Sequence, residues 1–149
     1  MIAIACDHAG ISLKPSVIAV LDELNIPYND FGTFSEESVD YPIYAVKAAT
    51  AVTSGQCDLG IILCGTGAGI SMAASKIKGT RVVTCSDTYT ARMSKLHNNA
   101  NILALGSRVI GEELCKDIVR TWLTTDFEGE RHARRVNMIA AIERGEKLY

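Results

Sequence analysis

No apolar run in this 149-residue sequence approaches the ~20 residues that a membrane span requires. The opening segment, MIAIACDHAG, has no basic stretch leading into a long apolar one, so a secretory leader is not expected. Positive charge is not in excess. Fifteen Lys and Arg stand against 17 Asp and Glu, a formal net charge of −2, which argues against a nucleic-acid binder. No two of the five cysteines form a C-x-x-C pair, their number is odd, and most lie in or beside apolar runs. A disulfide framework and a zinc site are therefore not expected, and a reducing, cytoplasmic setting is. Linkers, internal repeats and low-complexity segments are missing too. Only Thr124 to Gly129 offers a short break.

What remains is one compact domain. With 48% apolar residues the chain is no disordered polymer. A chain of this length buries roughly 70% of its unfolded surface and needs no metal or disulfide to stand. Short apolar runs alternate with amphipathic ones. Strands are expected at Ile2–Cys6, Ile26–Phe31, Leu59–Cys64, Arg81–Cys85 and Asn101–Leu105. Helices are expected through Leu13, Val17, Leu21 and Leu24; over Tyr41–Thr53, where Pro42 suits the first turn; and through Ile70, Ala73 and Ala74. Further helices are expected over Thr88–Leu96, along the stripe Leu114, Ile118 and Trp122, and from Arg131 to Glu143. Five strand–helix alternations imply an α/β fold with a five-stranded parallel sheet and helices on both faces. The last helix is expected to pack away from the sheet or against another chain.

Ligands of such sheets bind beyond the carboxyl ends of the strands. Those ends carry Asp7-His8, Cys64 with the loop Gly65-Thr66-Gly67-Ala68-Gly69, Ser86-Asp87, and Gly106-Ser107-Arg108. The glycine loop joins a strand to a helix. Its N–H groups can turn inward and, with the helix N-terminus, hold a phosphate or an oxyanion. A dinucleotide fingerprint fits poorly, because the third glycine comes one residue early and Ile70 fills its place. A cysteine acts as base or nucleophile only as thiolate, which a helix N-terminus favours. Cys6, Cys64 and Cys85 all close strands, and only the glycine loop favours Cys64; Cys57 and Cys115 read as small buried hydrophobes. His8 beside Asp7 is a candidate for substrate contact. His97 is either a proton shuttle or a helix cap. His132 reads as a solvated helix residue. Arg131 and Arg135 share a helix face, which suits either a phosphate or a plain basic surface.

Several stretches together resemble the type B ribose-5-phosphate isomerase family, with its allose- and galactose-6-phosphate isomerase relatives. They are Cys6-Asp7-His8-Ala9-Gly10, Asp40-Tyr41-Pro42, Ile62 to Ser71, His97-Asn98-Asn99-Ala100-Asn101, Leu105-Gly106-Ser107-Arg108, and Arg131-His132 with Arg135-Val136. The resemblance implies a Rossmann-like three-layer α/β/α sandwich. It implies an aldose–ketose isomerase of pentose phosphate metabolism that converts ribose 5-phosphate to ribulose 5-phosphate without metal or cofactor. It implies a homodimer, with a tetramer as the alternative, whose sites are completed by the other chain. Cys64 takes the family's base position and His97 opens the ring. Asp7, His8, Asn98 and Arg108 contact the sugar, and Arg131 and Arg135 hold the phosphate. The expected chemistry adds Asp7 as His97's counterpart in ring opening. The N–H groups of residues 65–69 and the Thr66 hydroxyl would stabilise a cis-enediolate. Two rival readings are an isomerase of allose 6-phosphate or galactose 6-phosphate, and a phosphosugar-binding module without turnover.

Overall fold

The computed structural model describes residues 1–149. Strands β1 (Ile2–Cys6), β2 (Tyr28–Asp30), β3 (Leu59–Cys64), β4 (Val82–Thr84) and β5 (Ile102–Gly106) form one sheet, ordered β2-β1-β3-β5-β4. Every pairing is parallel. Helices α1 (Lys14–Glu23), α2 (Tyr41–Thr53), α3 (Ala68–Ala74), α4 (Thr88–Leu96), α5 (Glu112–Leu123) and α6 (Glu130–Glu143) make the connections and the carboxyl terminus. A short 3₁₀ turn, Ile11–Leu13, leads into α1. No helix is long and apolar enough to cross a membrane.

Alternation along the strands explains the layers. Ile2, Ile4 and Cys6 of β1, Ile61 and Leu63 of β3, and Leu103 and Leu105 of β5 face one core. That core is closed by Val17 and Leu21 of α1 and by Cys115, Ile118, Val119 and Trp122 of α5. The intervening residues, Ala3, Ala5, Ile62, Cys64, Ile102 and Ala104, face a second core with the alanines of α2 and with Ile70 and Ala74 of α3. Successive side chains of a strand point to opposite faces, so both cores follow from a period of two. One side is built of large residues; the other is built largely of alanine and lets α2 lie close to the sheet.

The stripe on α5 differs by one residue from the expected one. Leu114 is 39% exposed, while Cys115 is fully buried with Ile118, Val119 and Trp122. The spacing 115, 118, 119, 122 lines one helix face, and Leu114 lies at its edge. The outer strands β2 and β4 are three residues each, shorter than the apolar runs that announce them, because each finds ladder partners on one side only. Helix α6 adds no residue to either core, and Met138, Ile139 and Ile142 remain exposed on it.

Two close approaches need glycine. A Cβ on Gly10 would lie 2.5 Å from the Leu63 carbonyl oxygen, and one on Gly32 would lie 2.5 Å from the Cys6 nitrogen. The turn after β1 therefore lies directly on β3. Gly10→Ala should lower stability by about 1–3 kcal/mol, since strand backbone rather than a flexible side chain must move. Urea unfolding with an unchanged m-value and a lower midpoint is the expected result.

Candidate active site

The sheet order reverses between β1 and β3: from β1 the chain goes to β2 on one side, then returns to β3 on the other. A crevice opens at such a switch point. Here it is a cavity of about 310 Å³ lined by Asp7, His8, Ala9, Tyr41, Cys64, Gly65, Thr66, Gly69 and Arg108. The carboxyl ends of β1, β3 and β5 all reach it. Ser86-Asp87, the end of β4, does not. Asp87 instead caps α4, its carboxylate accepting from the Thr90 N–H at 2.6 Å.

The glycine loop folds back on its own cysteine. Gly67, in the left-handed region at φ 78°, caps α3 and donates its N–H to Cys64 Sγ at 3.1 Å. A Cβ there would also meet Thr84 Cγ2 at 3.0 Å, so glycine is needed for both conformation and space. The Ala68 N–H is taken by Thr66 Oγ1 at 3.3 Å. The N–H groups of Gly65, Thr66 and Gly69 have no backbone partner. The donors open to a ligand are thus three of the five expected; those of Gly67 and Ala68 are spent inside the loop. Of the five buried cysteines, only Cys64 lines the cavity. Burial pushes Cys6 up to about 11 and Cys85 and Cys115 up to about 12, so these remain thiols at neutral pH.

Neighbours hold the other groups in place. Asp7 is buried, and its Oδ1 accepts the Gly10 N–H at 2.9 Å. His8 Nδ1 accepts the Val39 N–H at 3.1 Å. A neutral His8 then carries its proton on Nε2, which makes that atom a donor. Arg108 passes 3.5 Å from the position a Gly65 Cβ would take. Tyr41 is a lining residue that motif reading left without a role. A Cβ on Gly69 would lie 2.8 Å from its Cζ, so the missing side chain seats the tyrosine ring.

His97, Asn98, Arg131 and Arg135 lie outside this cavity. His97 caps α4, its N–H bonded to the Met93 carbonyl, and Asn99 in the left-handed region turns the chain toward β5. Asn98, Arg131 and Arg135 are exposed. His132 is not solvated as expected: it is 4% exposed. Its ring stacks on His97, with centroids 4.1 Å apart and planes 10° from parallel. Burial, the adjacent His97, and Arg131 and Arg135 hold His132 below the usual histidine range, against the pull of Glu128. Donor atoms of His97, Glu128 and His132 lie within 4.8 Å of one another. Ring lone pairs lie in the ring planes, and two nearly parallel stacked planes do not share a point where one ion could sit. The three groups are therefore poorly arranged to hold one metal ion.

The Ribose/Galactose Isomerase family matches residues 2–139. Ribose-5-phosphate isomerase B of Escherichia coli (strain K12) is 51% identical over 142 residues, 95% of this chain and 95% of that protein. D-erythrulose-4-phosphate isomerase of Pectobacterium atrosepticum is 40% identical over 98% of this chain and 97% of its own length. The solved structure of Clostridium thermocellum ribose-5-phosphate isomerase B superposes with a TM-score of 0.94 at 52% identity, covering 97% of each chain. With the five-stranded parallel sheet, the cysteine-led glycine loop and these likenesses together, the chain belongs to the Ribose/Galactose Isomerase family.

Proposed function

We propose that this protein is an aldose–ketose isomerase that interconverts ribose 5-phosphate and ribulose 5-phosphate through a cis-enediolate. The observation that carries the reading is Cys64 Sγ at the sheet's switch point, with the Gly67 N–H aimed at it and unpaired loop N–H groups beside it. The thiolate is the form of a cysteine that removes protons, and the Gly67 N–H is aimed at the sulfur that would carry the charge.

The steps follow from the groups present. Ribose 5-phosphate is mostly a closed furanose. His97 gives a proton to the ring oxygen while Asp7 takes one from the anomeric hydroxyl; the C1–O4 bond breaks and C1 becomes an aldehyde. The Cys64 thiolate removes the C2 proton, and the electron pair moves onto the C1 oxygen as an enediolate. Free N–H groups of Gly65, Thr66 and Gly69 stabilise that charge, each such donor being worth about 3 kcal/mol of barrier. The O2 proton passes to the C1 oxygen across the cis-enediolate, the electron pair returns from O2 toward C1, the cysteine gives its proton back at C1, and the ketone forms at C2. The His8 Nε2–H and Arg108 contact the sugar. Arg131 and Arg135 hold the phosphate, which does not react but fixes position. An isomerase of a different sugar phosphate is the second reading, favoured by the 40% identity to the erythrulose-4-phosphate enzyme.

One chain holds two half-sites. Cys64 and Asp7 line the cavity, whereas His97, Asn98, Arg131 and Arg135 do not. Helix α6 leaves Met138, Ile139 and Ile142 exposed. Both facts support a homodimer in which α6 packs at the interface and each cavity receives the other copy's half-site.

Three measurements test this. Cys64→Ala should abolish exchange of the ribulose 5-phosphate C1 proton with deuterated solvent, while sugar-phosphate affinity stays within about threefold; exchange at the wild-type rate removes Cys64 from the base role. Arg131→Ala should raise KM by about 10- to 100-fold, the worth of a ~1.5–3 kcal/mol charge-assisted bond; a fall in kcat alone contradicts the phosphate role. Cys64→Ala and His97→Asn proteins, each inactive, should regain about a quarter of wild-type activity when mixed after subunit exchange, because half the dimers are mixed and carry one intact site. No recovery in proven mixed dimers sinks the shared site.

A further inference from the structure

The isomerase reading gives His97 the proton for ring opening but does not say what orients its imidazole. His97 ends α4 and its side chain is 36% exposed, so helix packing alone does not fix it. Two neighbours constrain it. His132 provides a buried, nearly parallel face at 4.1 Å. Glu128 sets its carboxylate at the ring edge, with Oε2 3.8 Å from His97 Nε2 and 3.3 Å from His132 Nε2.

The hydrogen bonds decide which ring this carboxylate serves. Arg131 Nε donates to His132 Nε2 at 3.3 Å. That nitrogen is thereby an acceptor and has no proton for Glu128. The nitrogen left to donate to the carboxylate is His97 Nε2. The 3.8 Å separation is long for a hydrogen bond, but such bonds tighten in the substrate complex. The anchor is firm on the backbone side. The Glu128 N–H donates to the Leu96 carbonyl at 3.0 Å, one residue before His97. The Thr124–Gly129 segment, which the sequence marks only as a break between helices, is thus tied to the end of α4.

We propose that Glu128 is the positioning residue for His97 in opening the sugar ring, with His132 as the face against which the imidazole is held. The proposal rests on the isomerase reading. It adds a carboxylate–imidazole pair in which Glu128 orients the ring and never touches the sugar. Arg131 is placed by the same cluster. With Nε bound to His132, its two terminal nitrogens remain for the phosphate.

Chemistry separates this role from a structural one. Ribulose 5-phosphate has no free 5-hydroxyl to close a furanose ring, so exchange of its C1 proton needs Cys64 but no ring opening. Glu128→Gln should lower kcat for ribose 5-phosphate by about 10- to 100-fold, part of the ~10²–10⁴-fold that general acid–base help supplies. KM should stay within about twofold, and exchange at C1 of ribulose 5-phosphate should continue near the wild-type rate. Glu128→Asp, which keeps the charge, should recover more of kcat than the amide does. Equal loss of turnover and exchange in a folded Glu128→Gln protein overturns the proposal, as does unchanged turnover. Should Glu128→Gln fail to fold, Glu128→Asp carries the same comparison. Wild-type protein that neither exchanges nor isomerises defeats the isomerase reading itself, a result distinct from either.

Discussion

The end of β5 clasps the two loops that make the cavity, and the rest of the site depends on that clasp. The Ser107 N–H donates to the Cys64 carbonyl and the Arg108 N–H to the Gly65 carbonyl, both at 2.9 Å. Ser107 Oγ donates to the Ala9 carbonyl at 2.6 Å, tying in the turn after β1. Gly106 makes this possible, because a Cβ there would stand 2.6 Å from the Thr66 carbonyl. Three parallel strands therefore end in one cross-linked layer of backbone. A base must be held to within a fraction of an ångström of its proton, and hydrogen-bonded main chain on buried strands is the stiffest support available. Ser107 is in this sense part of the site, though no reaction step passes through it.

The same stiffness explains how loop amides are allotted. A strand-to-helix turn leaves several N–H groups unpaired. In this loop one of them, from Gly67, turns to the cysteine sulfur, and another, from Ala68, turns to Thr66. The N–H groups of Gly65, Thr66 and Gly69 stay without a backbone partner, and these three residues line the crevice. One N–H is thus directed at the cysteine sulfur, and three others keep no backbone partner at the cavity. That division requires the left-handed backbone at Gly67, where any side chain would be strained as well as crowded by Thr84.

Much of this was legible in the chain. Tyr41–Thr53 and Leu59–Cys64 are the observed elements to the residue, because Pro42, the alanine period and the run ending at Cys64 are local signals. The parallel sheet followed from strand–helix alternation, and the crevice followed from strand ends. What escaped reading was set by contacts distant in sequence. Tyr41 gained its place from the bare Cα of Gly69, and His132 gained its burial from the end of α4. Nothing in the polar, arginine-rich start of α6 marks a buried ring, since that helix belongs to neither core. By position alone Cys6, Cys64 and Cys85 were equivalent, and the family resemblance singled out Cys64; of the three it alone lines the cavity. All three are buried, and burial raises Cys6 and Cys85 so that these two remain thiols at neutral pH.

The separation of the two half-sites has its own physical logic. Cys64, proposed as the base, and the loop donors beside it sit at the end of the sheet, where a base gains rigidity. His97, proposed to open the ring, and Arg131 and Arg135, proposed to hold the phosphate, sit at the end of α4 and on the first turns of α6. Helix α6 is bound to the body by few buried side chains, chiefly His132 and Ala141. Its apolar residues Met138, Ile139 and Ile142 lie exposed in a single chain, and covering them would bring free energy to the association of two copies. That association would bring each exposed half-site to a cavity of the other copy. On the proposed assignment catalysis would then depend on assembly, because the group that opens the ring and the group that moves the carbon-bound proton lie on separate clusters of one chain.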